Sequence, residues 1–197
     1  MKYSLKWIWY CLFLCLVACG KPAPEPFQLI DITGSRIANQ FVLQNTQGKN
    51  TQLSDYRGKV VLLFFGFTHC PDVCPSTLFE LKKMVSSLPP ADQARVQVIF
   101  ITLDPERDSP AQLQKYVQAF DPRFVALHTS LQKTAVVAKD FNIFYEKQAV
   151  ENGQYTVDHT AGVTIYDADG QARLFYQPSK GLAALQHDVK ILLNQNK

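Results

Sequence analysis

Six consecutive apolar residues, Val60 to Phe65, carry no polar break, and all are β-branched, aliphatic or aromatic. A strand with one wet face alternates apolar and polar residues. This one does not, so it reads as a central strand covered on both faces. The run ends in a proline-punctuated turn, within FFGFTHCPDVCP, that holds Cys70 and Cys74 four positions apart. Of five cysteines, Cys11, Cys15 and Cys19 lie in an apolar N-terminal leader, which leaves this thiol pair as the only one in the folded part.

Lys2 and Lys6 precede a charge-free segment from Trp7 to Gly20. As a helix it reaches roughly 21 Å, short of a hydrocarbon core of about 30 Å. A basic start, an apolar middle and small residues at the end make a secretory signal. Leu16, Val17, Ala18 and Cys19 resemble the bacterial lipoprotein cleavage box, so residues 1–18 are expected to be a signal peptide and Cys19 the lipidated first residue of the mature chain. Two acyl chains suffice for stable anchoring. The domain is therefore expected outside the cytoplasm, on the periplasmic side of a bacterial membrane, with the inner membrane favoured. Residues 19–26, with prolines at 22, 24 and 26, read as a stiff tether, and 27–197 as one domain with an ample core. Without residues 1–18 the net charge falls from +3 to +1, which gives no electrostatic case for nucleic acid. Export puts Cys70 and Cys74 where a disulfide can persist. As an inert staple so small a loop is poor, at about 2 kcal/mol against about 4.7 for a 100-residue loop.

Phe41 to Leu43 and Asn50 to Leu53, around a turn at Gln47 to Lys49, read as a hairpin. Pro75 marks a helix start with Cys74 at its cap, where the amides stabilise a thiolate, and the helix ends before Pro89 and Pro90. Val96 to Leu103 is a second buried strand, followed by the loop LDPERDSP and a helix from about Ala111 to Phe120. Phe124 to Leu127 is a third strand and Leu131 to Phe141 a third helix. Thr160 to Tyr166 and Ala172 to Tyr176 form a hairpin through Asp169 and Gly170, and Leu182 to Leu193 is a closing amphipathic helix. This order describes an α/β sandwich with right-handed crossovers, a central mixed sheet, flanking helices and an added N-terminal hairpin. A thioredoxin-like fold fits it.

In such folds ligands gather beyond the carboxyl ends of the strands, where Cys70 falls. Spacing of four, one more than the usual redox CxxC, leaves room for the sulfurs either to bond or to grip a metal. Two thiolates need a third donor. His69 adjoins Cys70, but neighbouring side chains on extended backbone point opposite ways. His128 and His187 read as surface residues. His159 differs, because it lies between Asp158 and Thr160 at the start of a strand, after a polar loop (ENGQ) able to fold over the site. Phe64, Phe65 and Phe67 read as core and pocket wall, with Phe67 shielding the thiols. Asp104, Arg107 and Asp108 read either as a docking rim or as a helix cap and surface ion pair.

FFGFTHCPDVCP, the LDPERD segment and VDHT before a strand and hairpin together resemble the Sco/SenC family of copper-binding assembly factors for cytochrome c oxidase. The likeness runs from about Phe41 to the C-terminus, with the motifs in the family's order. It implies a thioredoxin-like domain in which Cys70, Cys74 and His159 bind copper. Two soft thiolates and one imidazole suit three-coordinate Cu(I), and possible use of Cu(II) stays open, whereas a structural zinc site wants a fourth ligand. Asp158 is a candidate acceptor for the far ring nitrogen of His159, which would orient the imidazole. The implied partners are the copper-site subunit of the oxidase, a thioredoxin-like reductant or another copper chaperone, and the membrane through the lipid anchor. Three other functions compete. A thiol-disulfide oxidoreductase using Cys70 and Cys74 would not need His159. A peroxiredoxin wants Pro and Thr or Ser where Leu63 and Phe67 stand. A scaffold would need none of these residues.

Overall fold

The computed structural model describes residues 26–149 and 155–195. The leader, the cleavage box with Cys19, most of the tether and the ENGQ loop lie outside the described residues. In the centre stands β4, Val60–Gly66, buried along its whole length as its apolar run requires. It pairs in parallel with β5 (Val96–Thr102), which pairs in parallel with β6 (Val125–His128). On its other side β4 meets β9 (Val163–Tyr166) antiparallel, and β10 (Ala172–Tyr176) and β1 (Ile30–Asp31) follow, each antiparallel to the last. Beyond β6 lie β2 (Val42–Asn45) and β3 (Asn50–Gln52), the N-terminal hairpin, again antiparallel. The result is a mixed sheet ordered β1-β10-β9-β4-β5-β6-β2-β3.

Five helices accompany the sheet among the described residues: α1 (Val73–Ser86), the short α2 (Pro90–Gln93), α3 (Pro110–Phe120), α4 (Leu131–Asp140) and α5 (Gly181–Gln195). Strand alternation sends Phe64 and Phe65 to opposite faces. Phe64 packs against Phe100, which meets Tyr116 of α3, while Phe65 meets Phe141 at the end of α4. α1 contacts both α3 and α5, so these three share the Phe64 layer. The fully buried aromatics of the two layers, Phe64, Phe65, Phe100 and Phe141, anchor the core. Truncating one to alanine would cost about 3–5 kcal/mol. No helix among the described residues is long and apolar enough to cross a membrane.

The structure departs from sequence expectation in four places. α1 opens at Val73, two residues before Pro75, so Cys74 lies inside the first turn and is not the cap. Proline lacks an N–H but costs nothing within a turn whose N–H groups have no intrahelical acceptor. Leu53 belongs to a 3₁₀ turn, Leu53–Tyr56, and not to the hairpin strand. The strand expected from Thr160 begins at Val163. Before it stands a hairpin that the sequence does not announce: β7 (Tyr145–Ala149) and β8 (Tyr155–His159) form a separate two-stranded sheet, with His159 ending β8 and not starting a strand.

Candidate metal centre

Three elements meet beyond the carboxyl end of β4: the turn after it, the first turn of α1, and the end of β8. Gly66 is what lets them close up. A Cβ there would lie 2.8 Å from both the Cys74 Sγ and a Phe100 ring carbon, closer than packed atoms allow. Cys74 is fully buried beneath this point, whereas Cys70 is half-buried and faces outward. Both are free thiols.

The helix amides serve Cys70, where sequence reasoning assigned them to Cys74. The Cys74 N–H donates to the Cys70 Sγ at 3.4 Å, using one of the donors that a helix N-terminus leaves without an internal partner. The Cys74 thiol also donates its proton to the Cys70 sulfur. Together with backbone donation from Cys74 and Asp72, this outweighs partial burial and lowers Cys70 from an ordinary 9.0 to about 5. The same shared proton, with burial, pushes the Cys74 thiol up. Cys70 is therefore the thiolate and Cys74 the thiol.

His159 reaches the pair from a residue 85 positions away, its Nε2 standing 3.7 Å from the Cys74 Sγ. Its Nδ1 lies 3.0 Å from the Thr160 carbonyl oxygen. A carbonyl only accepts, so the network assigns the proton to Nδ1 and leaves the Nε2 lone pair facing the sulfur. Asp158, expected to orient the ring, is exposed and lines the same pocket, but the Nδ1 is held by the Thr160 carbonyl instead. Phe64 and Phe67 flank the imidazole, with ring centroids at 6.4 and 6.2 Å, the latter edge-on. An open pocket lined by Phe67, Cys70, Pro71, Val73, Val157 and His159 exposes the site.

Donors around 2.0–2.3 Å from one ion, at trigonal angles, stand about 3.7 Å apart. The Cys74–His159 separation fits. Among the described residues no three His, Cys, Asp or Glu side chains already make a finished cage; two pairwise contacts, Cys74 N–H to Cys70 Sγ and Cys74 Sγ to His159 Nε2, link the three in a chain. The other histidines stand elsewhere. His69 is exposed and points its Nδ1 to Asp108 at 3.5 Å. His187 meets Asp188 at 2.7 Å, and His128 keeps a buried Nε2 without a hydrogen-bond partner.

Of the expectations for Asp104, Arg107 and Asp108, the ion pair is present, between Arg107 and a buried Asp104, whereas the two aspartates are neither an exposed rim nor a cap. Asp104 and Asp108 are buried, and Ser109 caps α3 by accepting from the Gln112 N–H. Asp108 accepts from the Thr68 N–H at 3.1 Å, the Thr68 hydroxyl at 2.6 Å and the Thr102 hydroxyl at 2.6 Å. It thereby fixes the turn that leads to Cys70. Sequence reasoning missed Tyr155, whose hydroxyl donates to Asp104 at 2.8 Å. Its place four residues before His159, on the same strand face, was the available signal.

Comparison with known proteins extends the likeness over nearly all of the described chain. The SCO1/SenC family model matches residues 28–194. The mouse protein SCO2 homolog, mitochondrial, is 35% identical over 152 residues, which are 76% of this chain and 60% of the mouse protein. The chain thus spans about 60% of that relative's length. The solution structure of apo Sco1 from Thermus thermophilus is 41% identical with a TM-score of 0.76, covering 87% of this chain and 99% of that one. Copper-bound ScoI from Bradyrhizobium japonicum is 35% identical with a TM-score of 0.71, covering 78% and 98%. These thioredoxin-like relatives share the mixed sheet and flanking helices described above. By the family match and this fold, the chain belongs to the SCO1/SenC family.

Proposed function

We propose that this protein is a copper chaperone that binds one copper ion through Cys70, Cys74 and His159 and delivers it to the binuclear copper centre of cytochrome c oxidase during assembly. The Sco family is one of cytochrome c oxidase assembly proteins, and a relative at 35% identity carries copper. The observation that carries the reading is the 3.7 Å approach of the His159 Nε2 to the Cys74 Sγ, with the lone pair turned inward. Two thiolates and a neutral imidazole form a soft, three-coordinate set suited to Cu(I). Loading displaces the Cys74 proton and turns the Cys70 sulfur from the helix amides to the ion, so metal uptake releases protons. A site with three donors, open on the Cys70 side, can pass its ion to an acceptor's thiols by ligand exchange. The leader supports a lipid anchor at Cys19 and a domain outside the cytoplasm. Partners in that setting are the copper-site subunit of the oxidase and a reductant that keeps the thiols open.

Titration of the reduced domain with Cu(I) tests this. One tight equivalent is expected, lost in Cys70→Ser and in Cys74→Ser and weakened in His159→Ala. Wild-type-like binding by the cysteine variants would rule the site out.

The split acidity of the pair favours a second reading, thiol-disulfide exchange. The Cys70 thiolate attacks a partner disulfide to form a mixed disulfide. Cys74 then resolves it, leaving the pair oxidised and the partner with two thiols. Reductase turnover retained in full by His159→Ala would favour this reading over copper delivery.

A further inference from the structure

The hairpin that brings His159 to the thiols has no ladder to the main sheet, since β7 and β8 pair only with each other. The hairpin is held instead by its short link into β9, by Val157 in the core and by side chains. The polar side-chain contacts at its Tyr155 end come from the loop 103–108.

Asp104, fully buried, accepts the Tyr155 hydroxyl at 2.8 Å and pairs with the Arg107 Nε. The Arg107 Nη1 donates to the Tyr155 carbonyl oxygen at 2.7 Å, and its guanidinium carbon lies 3.7 Å from the Tyr155 ring centroid. The same guanidinium is 5.9 Å from the ring of Phe67, which borders His159. On the neighbouring strand, Lys147 pairs with Glu106. The far end of this loop is Asp108, which holds Thr68 and hence the turn to Cys70. One short loop thus grips both the thiol turn and the hairpin.

We propose that the 103–108 loop is a positioning clamp for the metal centre, with Asp104 and Arg107 as positioning residues that set the separation between His159 and Cys74 by holding Tyr155. The proposal rests on the copper reading above. Tyr155, Val157 and His159 alternate onto one face of β8, so a shift at Tyr155 is carried along a stiff strand to an imidazole about 13 Å away. A buried ion pair is weak evidence for stability, because desolvation offsets its attraction. What the fork of Arg107 supplies is a fixed direction, through one bond to a carboxylate and one to a carbonyl.

Arg107→Met keeps much of the stem and removes the fork. In the metal-free protein, the amides of 155–159 are expected to exchange hydrogen at least tenfold faster, with those of β4 and β5 unchanged. The Cu(I) affinity of the reduced protein, measured by competition with a chromophoric chelator, should fall at least tenfold. Arg107→Lys, which keeps charge without the fork, should not restore either. Tyr155→Phe removes only the hydroxyl and should move both readouts in the same direction by less, which keeps the test open if Arg107→Met fails to fold. Unchanged hairpin exchange and affinity would overturn the clamp, as would exchange in β4 and β5 rising as much as in the hairpin. If wild type binds no Cu(I), the copper reading falls, while the selective loosening of 155–159 still decides the clamp.

Discussion

A thiol reacts through its thiolate, so the depth and partners of each sulfur decide which cysteine meets the solvent first. Cys70 is half-buried, accepts the Cys74 N–H and is lowered to about 5; Cys74 is fully buried and pushed up. The thiolate fraction of Cys70 rises with pH through about 5. Alkylation by iodoacetamide, followed by peptide mass mapping, is therefore expected at Cys70 first. Its rate should be half-maximal near pH 5 and level by neutral pH. A midpoint near the ordinary 9.0, or first modification at Cys74, would contradict the assignment. At this scale the sequence singled out the thiol pair and His159, which the structure brings together, but not the difference between the two sulfurs. Which sulfur takes the helix amides depends on whether the helix opens at Val73 or at Pro75, and a two-residue difference in start is not readable from proline preference.

Elements with a strong period were legible and those held by polar contacts were not. The apolar runs, unbroken in β4 and interrupted by Gln97 in β5, marked both strands close to their observed ends. The hairpin of β7 and β8 escaped because YEKQA and YTVDH bury little beyond Val157, so neither alternation nor apolar length marks them. LDPERD was ambiguous for a related reason: acidic residues usually lie on the surface, and only the fold shows that Asp104 and Asp108 are sunk among donors. That burial predicts a cost. In Asp108→Asn the two strong bonds from Thr68 and Thr102 weaken and an amide NH₂ meets donors where it needs acceptors. The loss is expected at about 2–4 kcal/mol, since bonds to charged groups and unsatisfied buried ones each contribute about 1–3. Urea unfolding should show a lower midpoint at unchanged slope. A midpoint within error of wild type would mean that Asp108 does not hold the Cys70 turn.

Across the whole molecule the site draws on distant parts of the chain, and this ties metal binding to the folded state. Cys70 and Cys74 stay near each other in any conformation, but His159 is 85 residues beyond Cys74 and reaches it only when β8 is docked. The unfolded chain can offer a thiol pair; the three proposed donors come together only in the native fold. A ligand that binds the native state alone stabilises it by about 4.1 kcal/mol at a free concentration 1,000-fold above its Kd. For a domain of this size each kcal/mol raises Tm by about 2–4 °C, so Cu(I) under those conditions should raise it by at most roughly 8–16 °C, less what the thiol pair of the unfolded chain binds. His159→Ala keeps the pair that survives unfolding, so its copper-induced shift should be much the smaller. Differential scanning calorimetry on the reduced domain, with and without buffered Cu(I), reads both numbers. An equal shift in wild type and His159→Ala would show that the thiol pair alone carries the metal and that docking β8 adds nothing to its grip.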